Sequence, residues 1–168
     1  MELYYHPLFL KFIGYFNWNQ DYFECHEVLE EYWKSIPNYT KEDPLTAYIL
    51  LSTGLYHWRR GNFNGANRTL VKAQKRMLAF PASKDTNCID YKKLLNDIDH
   101  SIERVKKAES FLPFTLSLNS KRLKALVNET VSTMDLLPLN SDAVIHKHML
   151  RDRNDILLER EKKKGRPI

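Results

Sequence analysis

The chain has 168 residues, 43% of them hydrophobic and 12% aromatic, with two cysteines, five glycines and a formal net charge of +5. That is enough chain for one full core with an appendage, too little glycine for a turn-rich β architecture, and too little cysteine for a disulfide-stapled secreted scaffold. The charge is uneven: residues 121–168 hold 11 Lys+Arg against 7 Asp+Glu and residues 1–120 hold 15 against 14, so most of the chain lacks the electrostatic footprint of a dedicated nucleic-acid binder.

The N-terminus has neither the basic start nor the long apolar run of a signal peptide. The longest apolar run, Tyr48 to Tyr56, is broken by Ser52 and Thr53 and is far below the roughly 20 residues that span a bilayer. A soluble cytoplasmic protein with no membrane partner is expected.

Residues 3–16 place Leu8, Phe12 and Tyr15 or Phe16 at helical spacing, which predicts a first helix. Asn17 to Asp21 interrupt it, and Asp21 or Asn19 can cap the next helix by accepting from a first-turn amide. In that helix, about 21–35, steps of 100° put Tyr22, Cys25, His26, Leu29, Tyr32, Trp33 and Ile36 on one face. Glu24, Glu27 and Glu31 lie opposite, with Glu30 on the border beside His26. His26 is therefore expected to be buried.

Ser35 to Asp43 reads as a loop, closed by Asp43-Pro44 as cap and first helical residue. Leu45 to Trp58 is apolar nearly all round, the pattern of a central helix packed on several sides; Ser52, Thr53 and Gly54 are small enough for a neighbour to come close. Gly61-Asn62 ends it. Asn64 or Asn62 then caps a helix through Ala66, Leu70, Ala73, Met77 and Phe80, which completes an αα-hairpin. Pro81 stops that helix.

Asp90 opens another helix through Ile98, Ile102 and Val105, ended by Pro113. Phe114 to Leu118 alternates like a strand but has no evident partner, so an extended segment laid over the core is expected. Ser120 caps a helix through Leu123, Leu126, Val127 and Val131, and Ser141-Asp142 starts a last helix or pair of helices that takes in Leu150, Ile156, Leu157 and Leu158. The basic end, Arg160 to Ile168, is expected to fray. The fold class is all-α: a multihelical bundle of about six to seven helices with a central buried helix and an αα-hairpin. The core is placed at residues 1–118 and a helical C-terminal extension at 119–168.

The sequence holds no phosphate-cradling glycine loop, no Gly-x-Ser-x-Gly elbow, no His-Glu-x-x-His pair and no close cysteine pair. Its unusual chemistry lies in two stretches, Tyr22 to Trp33 and Leu55 to Ala66. From these the candidate network is Tyr22, Glu24, His26, Glu27, Glu30, Trp33, Tyr56, His57, Arg60 and Asn62. His26 and Glu30, one turn apart, can share a proton or a ligand. If the two helices pack together, His57 can complete a carboxylate–imidazole set.

The leading reading is structural, a buried His/Glu/Arg network that fixes helix register, because an unmatched buried imidazole costs about 1–3 kcal/mol. No cofactor is favoured; the alternative is a divalent metal at His26, Glu30 and His57. Arg59 and Arg60 beside the helix start at Asn64-Gly65 offer an anion site; the blander reading pairs Arg60 with a carboxylate such as Glu27 or Glu30 and leaves Arg59 solvated. His146 and His148, two apart, point about 200° from each other on a helix and suit a solvated basic surface better than a shared metal.

At the two stretches the sequence resembles the bacterial and archaeal "domain of unknown function 309" family. The resemblance is carried by Tyr22-Phe23-Glu24-Cys25-His26-Glu27-Val28-Leu29-Glu30 with Trp33, then Leu55-Tyr56-His57 and Arg60-Gly61-Asn62 with Gly65-Ala66. It covers roughly residues 17–112 and implies a small all-α fold of unestablished function, with residues 113–168 as an extension that some members carry. This chain departs at Leu50, where the family often has a glutamine.

Three functions follow as expectations. The first is a non-catalytic interaction or scaffold protein with an unknown protein partner, compatible with a homo-oligomer. The second is a metal- or small-anion-binding protein or enzyme using His26, Glu27, Glu30 and His57 with Arg60. The third is weak nucleic-acid contact through residues 147–166.

Overall fold

A computed structural model describes residues 2–80 and 88–146. Eight α-helices lie among them: α1 Glu2–Tyr5, α2 Pro7–Gly14, α3 Tyr22–Ser35, α4 Leu45–Arg59, α5 Phe63–Ala79, α6 Tyr91–Lys106, α7 Lys121–Ser132 and α8 Asp142–Ile145. The described residues form no strand longer than one isolated antiparallel bridge between Ile89 and Leu118. The expected all-α bundle is present, with one or two more helices than the periodicity suggested because two of the eight have only four residues.

The first predicted helix is in fact broken twice. Pro7 cannot donate to a preceding carbonyl, so the chain turns at His6, whose Nδ1 accepts from the amide of Leu8 at 3.1 Å and caps α2. After Gly14 the backbone widens into a π turn, Tyr15–Asn19, and closes on Gln20 in the left-handed region at φ 55°. The caps of α3, α5, α6 and α7 are Asp21, Asn62, Asp90 and Ser120, each accepting from an amide three residues on. α4 starts as expected at Asp43-Pro44, with the Asp43 carboxylate accepting from Leu45 N at 2.9 Å.

α4 is the centre. Ten of its residues, from Leu45 to Trp58, are buried on more than one side, and it packs on α3 and still more extensively on α5. The close approach to α5 runs through Gly54: a Cβ there would lie 2.6 Å from Leu70 Cδ2 and 3.2 Å from Leu70 N. α2 covers α3, α5 carries α6, and α7 lies on α2 and α1. The rings of Phe9, Phe12, Phe16, Tyr22 and Tyr48 fill the centre edge to face, a geometry aromatic quadrupoles favour.

The segment after α6 is extended and lies over the core as expected, and it does find a partner. Ser117 O accepts from Asp90 N at 2.9 Å and Cys88 O from Asn119 N at 2.8 Å. The Asn17 side chain brackets Leu116, accepting from its amide at 2.8 Å and donating to its carbonyl at 3.0 Å. The last expected helix begins at Asp142, but its continuation through Leu150 and Ile156–Leu158, with His148 and the basic end, lies outside the described residues.

Gly54→Val should lower stability by about 1–3 kcal/mol, the usual cost of overpacking, because the facing atoms include the Leu70 backbone. Urea unfolding checks this; an unchanged midpoint would contradict the close approach.

Candidate functional site

α3 and α4 bring the two motif stretches onto one surface, though not as the helical wheel alone suggested. The buried stripe of α3 is Tyr22, Cys25, Val28, Leu29 and Tyr32. It is turned toward Val28 because α3 is flanked by α2 on one side and α4 on the other. His26 thus moves to the edge of the stripe, with its side chain 32% exposed, and the expected burial of the His/Glu/Arg network does not hold.

At that edge the His26 ring is bracketed by carboxylates, Nδ1 at 3.3 Å from Glu27 Oε1 and Nε2 at 3.5 Å from Glu30 Oε2. Lys34, one turn further, donates to Glu30. The Lys34 hydrogen bond, opposed by partial burial and assisted by His26, holds the Glu30 carboxyl below its ordinary value of 4.5. Glu27 and Glu30 therefore face His26 and Lys34. The guanidinium of Arg60 lies over the Tyr56 ring at 5.2 Å.

Between His26 and α4 opens a cleft of about 150 Å³ lined by Tyr22, Phe23, His26, Thr53, Tyr56 and His57, room for about five waters. Its walls are almost wholly apolar, and the two imidazoles are its polar rim. The Asn62 side chain fixes the His57 tautomer. Asn62 Oδ1 accepts from Gly65 N at 3.0 Å, so the amide nitrogen is the end that faces His57 Nδ1, at 3.4 Å. The ring nitrogen receiving that donor carries no hydrogen in the neutral ring, which places the hydrogen on Nε2. His57 then offers a donor.

The anion-site residues are disposed differently. Arg59 is half-buried, not solvated: Nη1 donates to Gln20 O at 2.7 Å and Nη2 to Val144 O at 3.4 Å, with the guanidinium over Tyr22 at 4.7 Å. Burial lowers its pKa, with Tyr22 and Asp21 opposing. It ties the turn before α3 and the end of α8 to α4. Gly65 N is already taken by Asn62 and Asn64 is exposed, so Arg59 and the α5 start do not converge as one pocket.

Three ligand atoms, from His26, Glu27 and Glu30, do lie within 4.8 Å of one another. Cys25 is buried, with its thiol donating to Phe12 O at 3.6 Å. Burial first, then Asp21, pushes the thiol well above its ordinary value, which makes it a core group rather than a nucleophile. Burial likewise pushes the Tyr22 hydroxyl up, against the pull of Arg59, and its oxygen has no partner among the described residues. Trp33, on the far flank, donates from its indole to Thr40 O at 2.9 Å and holds the α3–α4 loop.

The acidic strip of α3 predicts a pH dependence. The Glu30 carboxyl is depressed in the fold, so its contribution to stability is complete above its unfolded value and is lost as pH falls through the folded one. Glu30→Gln should therefore lower the thermal midpoint slightly at neutral pH, and the difference from the parent chain should close below about pH 4.5. A difference that persists at acid pH would place the effect elsewhere.

Residues 9–69, from α2 into α5, match the profile of the family described as "Domain of unknown function (DUF309)". Over 163 residues, 94% of each chain, the sequence is 29% identical to "Uncharacterized protein YpuF" of Bacillus subtilis (strain 168). That likeness extends well beyond α5, into the part after residue 113. No solved structure matches. The resemblance carried by the two stretches on α3 and α4 is thereby shown: over residues 9–69 the chain is similar to the DUF309 family, whose description leaves its function open.

Proposed function

We propose that the protein is a non-catalytic interaction module of the cytoplasm whose recognition face is the α3–α4 cleft with its flanking carboxylates. The observation that carries this reading is the cleft itself, apolar along its walls and rimmed by His26 and His57, with the Glu27 and Glu30 carboxylates against the His26 ring. Such a surface suits a protein segment that offers one apolar side chain beside lysines or arginines. The apolar contact supplies affinity, while charge complementarity supplies orientation and association rate. Both free cysteines are buried, in keeping with a reducing compartment. Among the described residues no helix is long and apolar enough to cross a membrane.

A short leucine- and lysine-containing peptide titrated into isotope-labelled protein tests the reading. Amide shifts should concentrate at Phe23, His26, Thr53 and His57. Thr53→Arg, which fills the cleft from a half-buried position, should weaken binding about tenfold or more, the effect of losing about 1.4 kcal/mol, with helicity retained. Shifts scattered over the surface, or identical in Thr53→Arg, would reject it.

A second reading, a divalent cation at His26, Glu27 and Glu30, is supported by the proximity of their ligand atoms. Calorimetric titration with zinc should then show one site per chain that disappears in His26→Ala. A site unaffected by that substitution would reject this reading.

A further inference from the structure

The near balance of charge over residues 1–120, 15 Lys+Arg against 14 Asp+Glu, conceals a separation that the fold creates. α3 carries Glu24, Glu27, Glu30 and Glu31 against Lys34, whereas α5 carries Arg68, Lys72, Lys75 and Arg76 and no carboxylate. α5 closes on α4 at Gly54. α3 meets it at Tyr56, whose ring lies 6.0 Å from that of Phe23. Residues two apart on a helix point about 200° from each other, so the acidic and the basic helix lie on opposite flanks of α4.

Within α5 the cations are sorted again. Gly65, Ala66, Leu70, Ala73 and Met77 are buried on the face toward α4 and α6. Asn64, Arg68, Lys72 and Lys75 are exposed and fall within about 80° of one another on the opposite face. Arg76 lies on one flank, donating to Lys41 O and Thr46 Oγ1. On the other flank Gln74 donates to Asp99 at 3.2 Å. Lys34, Lys93 and Arg104 each pair with a carboxylate, but Arg68, Lys72 and Lys75 have no ion pair among the described residues. The stripe exposes no apolar side chain until Leu78, at its end. From Arg68 to Lys75 it runs about 10.5 Å at 1.5 Å per residue, close to three steps of about 3.4 Å along a nucleic-acid strand.

We propose that the exposed face of α5 is a contact surface for the phosphate backbone of duplex nucleic acid, with Arg68, Lys72 and Lys75 on neighbouring phosphates and the Asn64 amide at one end. The surface is separate from the α3–α4 cleft and from the basic residues 147–166. A phosphate backbone asks only for cations and amide donors, which this face supplies. A lipid surface would require apolar side chains along the same face, and a tightly held protein partner an aromatic or aliphatic anchor at its centre. Neither is present between Asn64 and Lys75. The contact is independent of base sequence, since no side chain of the stripe is placed to read base edges once it is spent on phosphates.

The test uses the full chain and fluorescence polarisation of short labelled DNA and RNA duplexes across a salt series. Three phosphate contacts give a slope of log affinity against log salt of about −2.7, or about forty-fold weaker binding at 200 mM than at 50 mM salt. The double variant Lys72→Gln/Lys75→Gln, at exposed positions, should keep its helicity and flatten the slope by about two. Lys72→Arg/Lys75→Arg, which keeps both charges, should leave the slope as it was. A duplex of either kind that behaves so supports the contact, and the tighter of the two names its source. Absence of binding to both duplexes at 50 mM salt would overturn the proposal, as would a slope that Lys72→Gln/Lys75→Gln leaves unchanged. Flattening confined to Lys162→Gln/Lys163→Gln/Lys164→Gln would move the contact to the C-terminal end and overturn it too. Anionic vesicles held more tightly than either duplex, and released by Lys72→Gln/Lys75→Gln, would make the partner a lipid surface instead.

Discussion

The burial of one guanidinium constrains much of this molecule. Arg59, at the end of α4, lies over the Tyr22 ring, donates to Gln20 O just before α3, and reaches Val144 O at the end of the described C-terminal part. A half-buried cation is tolerable only where hydrogen bonds replace its water. Here they are carbonyls from two segments far apart in sequence, together with an aromatic face. The left-handed Gln20 presents one of those carbonyls, and the π turn before it turns the chain from α2 into α3. α3 is thereby set against α4 at the height that makes His26 and His57 share one cleft.

The cleft is a consequence of helix edges. α4 is buried on several sides and α3 is packed between α2 and α4, and the two imidazoles lie where those packed faces run out. Their settings differ. His26 sits among carboxylates on a solvated strip, whereas His57 is held by an asparagine that is also the cap of α5. Asn62 thus couples the geometry of the α4–α5 turn to the hydrogen that His57 presents at the rim.

The C-terminal part takes its place in the same body. α7 packs on α2, with Val131 and Met134 against Gly14, and the extended segment before it seals Phe16, Tyr22 and Trp58 with Phe111 and Phe114. The likeness to the Bacillus subtilis protein over 94% of the chain accords with a unit that includes these later elements. Leu50 is a partly buried apolar residue packed against the core.

What the sequence determined by itself was local. Caps at Asp21, Asp90 and Ser120, the Asp43-Pro44 start, the tight turn at Gly61-Asn62 and the near-continuous apolar pattern of α4 each follow from interactions within a few residues, and all are present. Pro7 was also a local signal, and it breaks the first helix as its missing donor requires. The orientation of α3 was decided elsewhere. The helical wheel places His26 on the apolar face with Tyr22, Cys25 and Leu29, and only the neighbours α2 and α4 turn Val28 into the interior and leave His26 at the rim. Arg59 and Arg60 were equally unreadable: adjacent in sequence, one is drawn inward by carbonyls 39 and 85 residues away and the other lies on Tyr56, because long-range partners, which no local pattern encodes, decide which cation is desolvated.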